Sequence, residues 1–166
     1  MTTTRSFAEL GQQHETILEF LACHQEALVE QDLPRALETW QRFRRALLAH
    51  AKAEDEVLLP PFEASGEAPL GASAELIYTE HRKMRRLLER TGRRLEGLSR
   101  HGRLEARTVV FLIEEERLLK EVIDHHDRRE RAGFFPALDR LFTGSERERL
   151  WSEVDAIHAA GGLAEA

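Results

Sequence analysis

Two stretches of this chain repeat one arrangement of residues able to hold a metal ion. The first is His50-Ala51-Lys52-Ala53-Glu54, continuing through Asp55-Glu56-Val57-Leu58-Leu59 to Pro60. The second is His126-Asp127-Arg128-Arg129-Glu130, continuing through Arg131-Ala132-Gly133-Phe134-Phe135 to Pro136. Each is a histidine, a glutamate four residues on, an apolar pair and a proline. On a helix, positions i and i+4 share a face. Each pair therefore presents an imidazole nitrogen beside a carboxylate oxygen. A further histidine precedes each pair, His14 before the first and His81 before the second.

An ionised carboxylate loses its hydration on burial, and a buried imidazole needs partners for both nitrogens. Four histidines and two glutamates facing one core would destabilise it unless cations joined them. Two cations would do so. One takes His14 with His50, the other His81 with His126, and Glu54 and Glu130 bridge. Mixed imidazole and carboxylate ligation suits iron, manganese or zinc, and the set contains no sulfur. Six protein ligands leave both ions open to water, hydroxide, an oxo bridge or a small diatomic molecule. A lone inward histidine is more often an ordinary core residue. The conjunction of two copies, one offset to proline and a histidine in each preceding helix favours a two-metal site.

The neighbouring candidates divide by position. His125 is turned about 100° from His126 around the helix, and register favours His126 as the ligand. His125 and Tyr78, one turn before His81, are candidates for supporting the ligands from behind. His24 lies about 15 Å along the helix from His14 and reads as a core or rim histidine. His101 and His158 read as surface residues, and Cys23 as a small core residue. No HExxH protease motif, Glu-x-x-His pair, Gly-rich phosphate loop or Ser-His-Asp arrangement is present.

Stripes of apolar residues, stepping alternately three and four, must position these groups. Ser6-Phe7-Ala8-Glu9 reads as a capping box opening a helix to about Gln31, with Phe7, Leu10, His14, Ile17, Leu21, His24 and Leu28 inward. Pro34 suits the first turn of a second helix, to about Leu59, with Leu37, Trp40, Phe43, Leu47, His50, Glu54 and Val57 inward. Pro60 and Pro61 should end or kink it. A third helix is expected from about Ser73 to Leu98, carrying His81 between Ile77 and Met84. After a turn at Gly102, a fourth runs from about Leu104 to Arg131. Its stripe includes Val109, Leu112, Leu119, Ile123, His126 and Glu130, and one of Glu114, Glu115 and Glu116 faces in. A short apolar segment, 137–142, follows. A second capping box, Ser145-x-x-Glu148, starts a final helix ended by Gly161-Gly162. The fold class predicted is all-α. It is an antiparallel up-down four-helix bundle in one domain over residues 1–166, with the core at about 6–142 and a C-terminal helix at about 145–160.

Composition agrees. The 166 residues are 42% hydrophobic and 33% charged, enough for a core with a wet surface. No apolar run approaches the roughly 18 residues of a membrane span, and no secretory leader is read at the N-terminus. The lone cysteine fits a reducing compartment, so a cytoplasmic location is expected. The net charge of −6 argues against nucleic acid as a partner. Residues 82–107 concentrate ten Lys or Arg against three Glu. Arg82, Lys83, Arg86, Arg90, Arg93 and Arg94 fall off the apolar stripe and read as a solvated outer face.

His14, His50-x-x-x-Glu54, His81 and His126-x-x-x-Glu130 together resemble the hemerythrin-like, HHE cation-binding family, over roughly residues 6 to 142. The resemblance implies a four-helix bundle with a non-haem di-iron centre and a solvent-derived oxo or hydroxo bridge. It implies His14, His50, His81 and His126 as iron ligands and Glu54 and Glu130 as bridges. Manganese or zinc would read identically. Members of the family bind dioxygen, or are associated with nitric oxide, peroxide or iron handling. Oxygen-carrying members have a fifth histidine one turn after the third-helix histidine, where this chain has Arg85. Both irons would then be open, which favours redox chemistry such as catalase- or peroxidase-like peroxide breakdown, in oxidative or nitrosative stress, over simple oxygen carriage. The alternatives are a reversible oxygen or nitric-oxide sensor or store, and a metal-independent helical interaction domain. The expected ligand is a small diatomic molecule or peroxide. Nothing in the sequence decides between a monomer and a homo-oligomer.

Overall fold

The helices begin where side chains can satisfy free backbone N–H groups. Ser6 and Glu9 form the reciprocal cap expected of them, at the start of a tight 3-10 turn, Phe7–Leu10. Helix α1, Gly11–Val29, continues from it. Asp32 caps α2, Leu33–Ala53, with Pro34 in its first turn. Ser73 caps α4, Ala74–Ser99, and α5 spans Ala106–Arg129. The expected Ser145 cap is not formed. Helix α7, Gly144–Ala160, has Thr143 at its N-cap position with no side-chain bond. These elements come from a computed structural model that describes residues 5–100 and 103–163. His101 and Gly102 lie outside that range.

Helix α1 packs on α2 and α5, and α4 packs on α5 and α2, which closes the four long helices into an antiparallel bundle. Every histidine and glutamate expected on an inward stripe is buried, as are nearly all their apolar neighbours. Leu37 and Leu98 are half-buried at the edge, and Cys23 is half-buried rather than fully enclosed. The apolar residues form two groups, one on each side of the polar cluster. One holds Trp40, Phe43, Leu47, Leu88 and Leu119. The other holds Phe7, Leu58, Phe62, Phe134 and Trp151. The predicted basic face is exposed, and Arg90 and Arg94 both pair with Glu115 at 2.9 and 3.1 Å. Among the described residues no helix is long and apolar enough to cross a membrane.

The prolines behave differently from the expectation of a stop or kink. Each repeat widens into one π-helical turn, Glu54–Leu58 and Glu130–Phe134, and then runs on as a short helix, α3 (Leu59–Ala64) and α6 (Phe135–Leu141). The Leu59 N–H bonds back to Glu54 O, and the Phe135 N–H to Glu130 O, five residues away. A proline lacks the N–H of an α-helical turn, and its ring crowds the carbonyl four residues earlier. A turn with one extra residue relieves that conflict. It also brings successive apolar residues inward: Val57, Leu58 and Leu59 are all buried, as are Phe134 and Phe135. Each π turn starts at the repeat's glutamate, which fixes the depth of that carboxylate.

Helix α7 lies across α2 and the first π turn. Phe7 stacks on Trp151 at 5.4 Å, and the Arg5 guanidinium covers the other ring of contact, 3.6 Å from the Trp151 centroid. Gly161, the C-cap of this helix, packs so closely on α2 that a Cβ there would stand 2.1 Å from Ala49 Cβ. Gly161→Ala should therefore destabilise the protein by about 1–3 kcal/mol through overpacking. Thermal melting of the variant checks this, and an unchanged midpoint would refute the close approach.

Candidate metal centre

The six residues singled out by spacing converge on one buried layer. His14 and His50 come from α1 and α2, with ring centroids 4.3 Å apart. His81 and His126 come from α4 and α5, with their Nε2 atoms 3.1 Å apart. Glu54 reaches both pairs: Oε1 lies 3.3 Å from His50 Nε2, and Oε2 lies 3.3 Å from His81 Nε2. Glu130 does the same from the opposite side. Its Oε1 lies 2.7 Å from His126 Nε2, and its Oε2 lies 3.3 Å from His14 Nε2. Each carboxylate thus offers one oxygen to each histidine pair.

Three of the histidines are gripped from behind. The His81 Nδ1–H donates to Asp55 at 2.6 Å, and the His126 Nδ1–H donates to Glu80 at 3.0 Å. His14 Nδ1 lies 2.8 Å from Asp127. Each acid has its own arginine: Arg85 on Asp55 at 2.5 Å, Arg129 on Glu80 at 2.7 Å, and Arg131 on Asp127 at 2.8 Å. Burial works against charge on Asp55, Glu80 and Asp127, but their histidine and arginine partners outweigh it and hold all three below the ordinary carboxylate value. An anion behind Nδ1 fixes the proton there and turns the Nε2 lone pair inward. The lone pairs of His81 and His126 then face each other at close range, an arrangement that only a proton or a cation between them relieves.

The remaining atoms make the same demand. Both nitrogens of His50, His14 Nε2 and all four oxygens of Glu54 and Glu130 are buried without a hydrogen-bond partner. Buried polar atoms are ordinarily satisfied. In two overlapping groups, each residue offers one ligand atom within 4.8 Å of the others: His14, His50, His126 and Glu130, and Glu54, His81, His126 and Glu130. Burial holds His14 and His50 below the ordinary imidazole value, which keeps them neutral. Burial, and then the neighbouring Glu54 carboxylate, raises Glu130 well above its ordinary value. Burial opposes charge on His126, but Glu130, Glu54 and Glu80 overcome it and hold the ring protonated well above the usual range. Protons therefore stand where cations would otherwise balance the carboxylates. The donor set fits a metal-binding site.

The supporting candidates fare less well. His125 is exposed and has no part in the cluster, because the 100° step turns it to solvent. Tyr78 is half-buried on α4 beside the apolar group of Phe62 and belongs to neither ligand group. His158, expected at the surface, is buried, with its ring 5.9 Å from that of His50 and nearly parallel to it. Asp55, Glu80 and Asp127 were not anticipated. Each sits one residue from a member of the cluster (Glu54, His81 and His126) and reads as solvent-facing in the sequence. A carboxylate immediately beside a stripe position was the available signal.

His24 is the core histidine expected. Its Nδ1–H donates to Ala36 O at 2.7 Å, and Nε2 lies 3.0 Å from Glu116, which is itself fully buried and accepts from Gln25. Glu116 is thus the inward member of its acidic run.

Comparison with known proteins agrees with this geometry. Neither the curated proteins nor the solved structures gave a match. The family model described as "Hemerythrin HHE cation binding domain" matches residues 6–138, most of the chain and all six converging residues. The chain belongs to the hemerythrin HHE cation-binding domain family.

Proposed function

We propose that this chain is a non-haem di-iron protein that reacts with peroxide, dioxygen or nitric oxide, with His14, His50, His81 and His126 as ligands and Glu54 and Glu130 shared between the metals. The observation that carries the reading is the way each glutamate offers one oxygen to each histidine pair. One metal would take His14 and His50, the other His81 and His126, with an oxygen of each carboxylate on both. Bound iron would supply a reversible ferrous–ferric change. The protein residues hold three of the imidazoles by their outer nitrogens, keep the carboxylates anionic once the metals are in place, and exclude bulk water with apolar groups on both sides.

The position of Arg85 supports redox chemistry over simple oxygen carriage. It lies where oxygen-carrying relatives have a fifth histidine, and it bonds Asp55 rather than joining the ligands. The two halves then have equal protein ligation, and neither is saturated. The test is peroxide consumption by anaerobically iron-loaded protein. Turnover should track bound iron and fall to the background of free iron in His50→Ala. Wild-type turnover in that variant would overturn the mechanism. A dioxygen adduct that reverses on degassing, with no peroxide consumption, would favour a binding module instead.

A further inference from the structure

His50 is the exception among the four histidines. Its Nε2 faces Glu54, so its Nδ1 points away from the cluster. That nitrogen is buried and has no carboxylate behind it. The internal repeat shows why. His126 is held by Glu80, the residue before His81. The corresponding residue before His14 is Gln13, which makes no bond to His50. His158 arrives instead from α7, beyond the matched 6–138 segment, with its ring nearly parallel to that of His50 and the centroids 5.9 Å apart. Its Nε2 is also buried without a partner. His158 also lines a cavity of about 510 Å³ between α1, α2 and α7, together with Gln13, Thr16 and Arg42.

We infer that His158 is a positioning residue for the metal centre, serving as the outward hydrogen-bond partner of His50 where the other three histidines have carboxylates. The inference rests on the metal-binding reading of the cluster. When His50 Nε2 binds a cation, Nδ1 carries the proton and must donate it. The His158 Nε2 lone pair is the acceptor, reached directly by a small ring movement or through one bridging water. A single water satisfies such a pair of buried polar atoms. A neutral acceptor gives less electron density to the imidazole than a carboxylate does. A metal held by His14 and His50 would therefore be the more electron-poor of the two. The centre is asymmetric through its supporting groups, although its ligands are symmetric.

Cobalt(II) tests this without relying on activity, since its visible absorption reports ligand field and its titration reports affinity. His158→Phe fills the space but removes both nitrogens, and His158→Leu does so with a smaller group. Either should weaken cobalt binding at one of the two sites by about tenfold, as loss of such a partner does elsewhere, and shift that site's absorption. His158→Gln, which retains a polar group at similar reach, should restore both. Circular dichroism and melting of the metal-free variants identify which of them fold. A folded nitrogen-free variant with wild-type affinity and spectrum would overturn the role of His158 and leave the metal centre intact. A wild-type chain that took up no cobalt would overturn the metal-centre reading and this inference with it.

Discussion

Glu130→Gln is expected to abolish the paired site while raising the stability of the metal-free protein. Glu130 is fully buried, and its oxygens face His126 on one side and His14 on the other. A glutamine keeps the shape but offers only one weak acceptor, so it cannot share charge between two cations. Loading should fall from two metals to one or none. The metal-free protein moves the other way. Burial and the Glu54 carboxylate hold the Glu130 carboxyl well above its ordinary value of 4.5. At neutral pH folding must therefore protonate it or bury its charge, and either costs stability. Glutamine has no such cost. A gain of about 1–3 kcal/mol is expected, or a few degrees in Tm for a chain of this size. Melting with and without metal measures both effects. A variant that kept two metals, or was less stable than wild type when metal-free, would contradict the bridging role.

The second large effect is on pH dependence. His126 and Glu130 both hold protons more tightly in the folded protein than in the unfolded chain. A raised folded value means stability that is present below the unfolded value and lost as pH rises through the folded one. Above the ordinary imidazole value of 6.5, the metal-free protein should lose stability with rising pH. His14 and His50, held low by burial, partly offset this loss near pH 6.5, where the unfolded chain still protonates them, and contribute no slope once the pH is well above it. The metal-loaded protein would carry no proton on His126 Nε2 or on Glu130, while the His126 Nδ1–H still donates to Glu80, and escapes the loss. The stability gap between loaded and chelated protein should widen from pH 6.5 upward, by as much as about 1.4 kcal/mol per pH unit for each proton displaced. Melting of both forms between pH 6.5 and 8.5 checks this. A gap that narrowed over that range would refute the proton competition.

Much of this site was legible in the sequence because its residues break a rule. His14, His50, Glu54, His81, His126 and Glu130 sit on stripes that are otherwise apolar, at fixed distances from caps and prolines. Spacing along a helix fixes the face, and the face fixes burial. What the spacing could not show was contact between helices. Asp55 leaves α2 to hold His81, Glu80 leaves α4 to hold His126, and Asp127 leaves α5 to hold His14. Each acid is off its own stripe and acts on a histidine of another helix. The π turns were hidden for a related reason. A proline announces that the α-helical pattern must change but not whether the chain breaks or widens. His158 misled most, since α7 has a weak stripe and its depth depends on Gly161 meeting Ala49.

The convergent histidines and glutamates are expected to hold a pair of metal ions. Metal analysis after anaerobic loading with ferrous iron and removal of excess measures this. About two irons per chain, a Tm raised by their binding, and loss of both on chelation are expected. A chain that retained no iron, and melted identically with and without it, would contradict the claim.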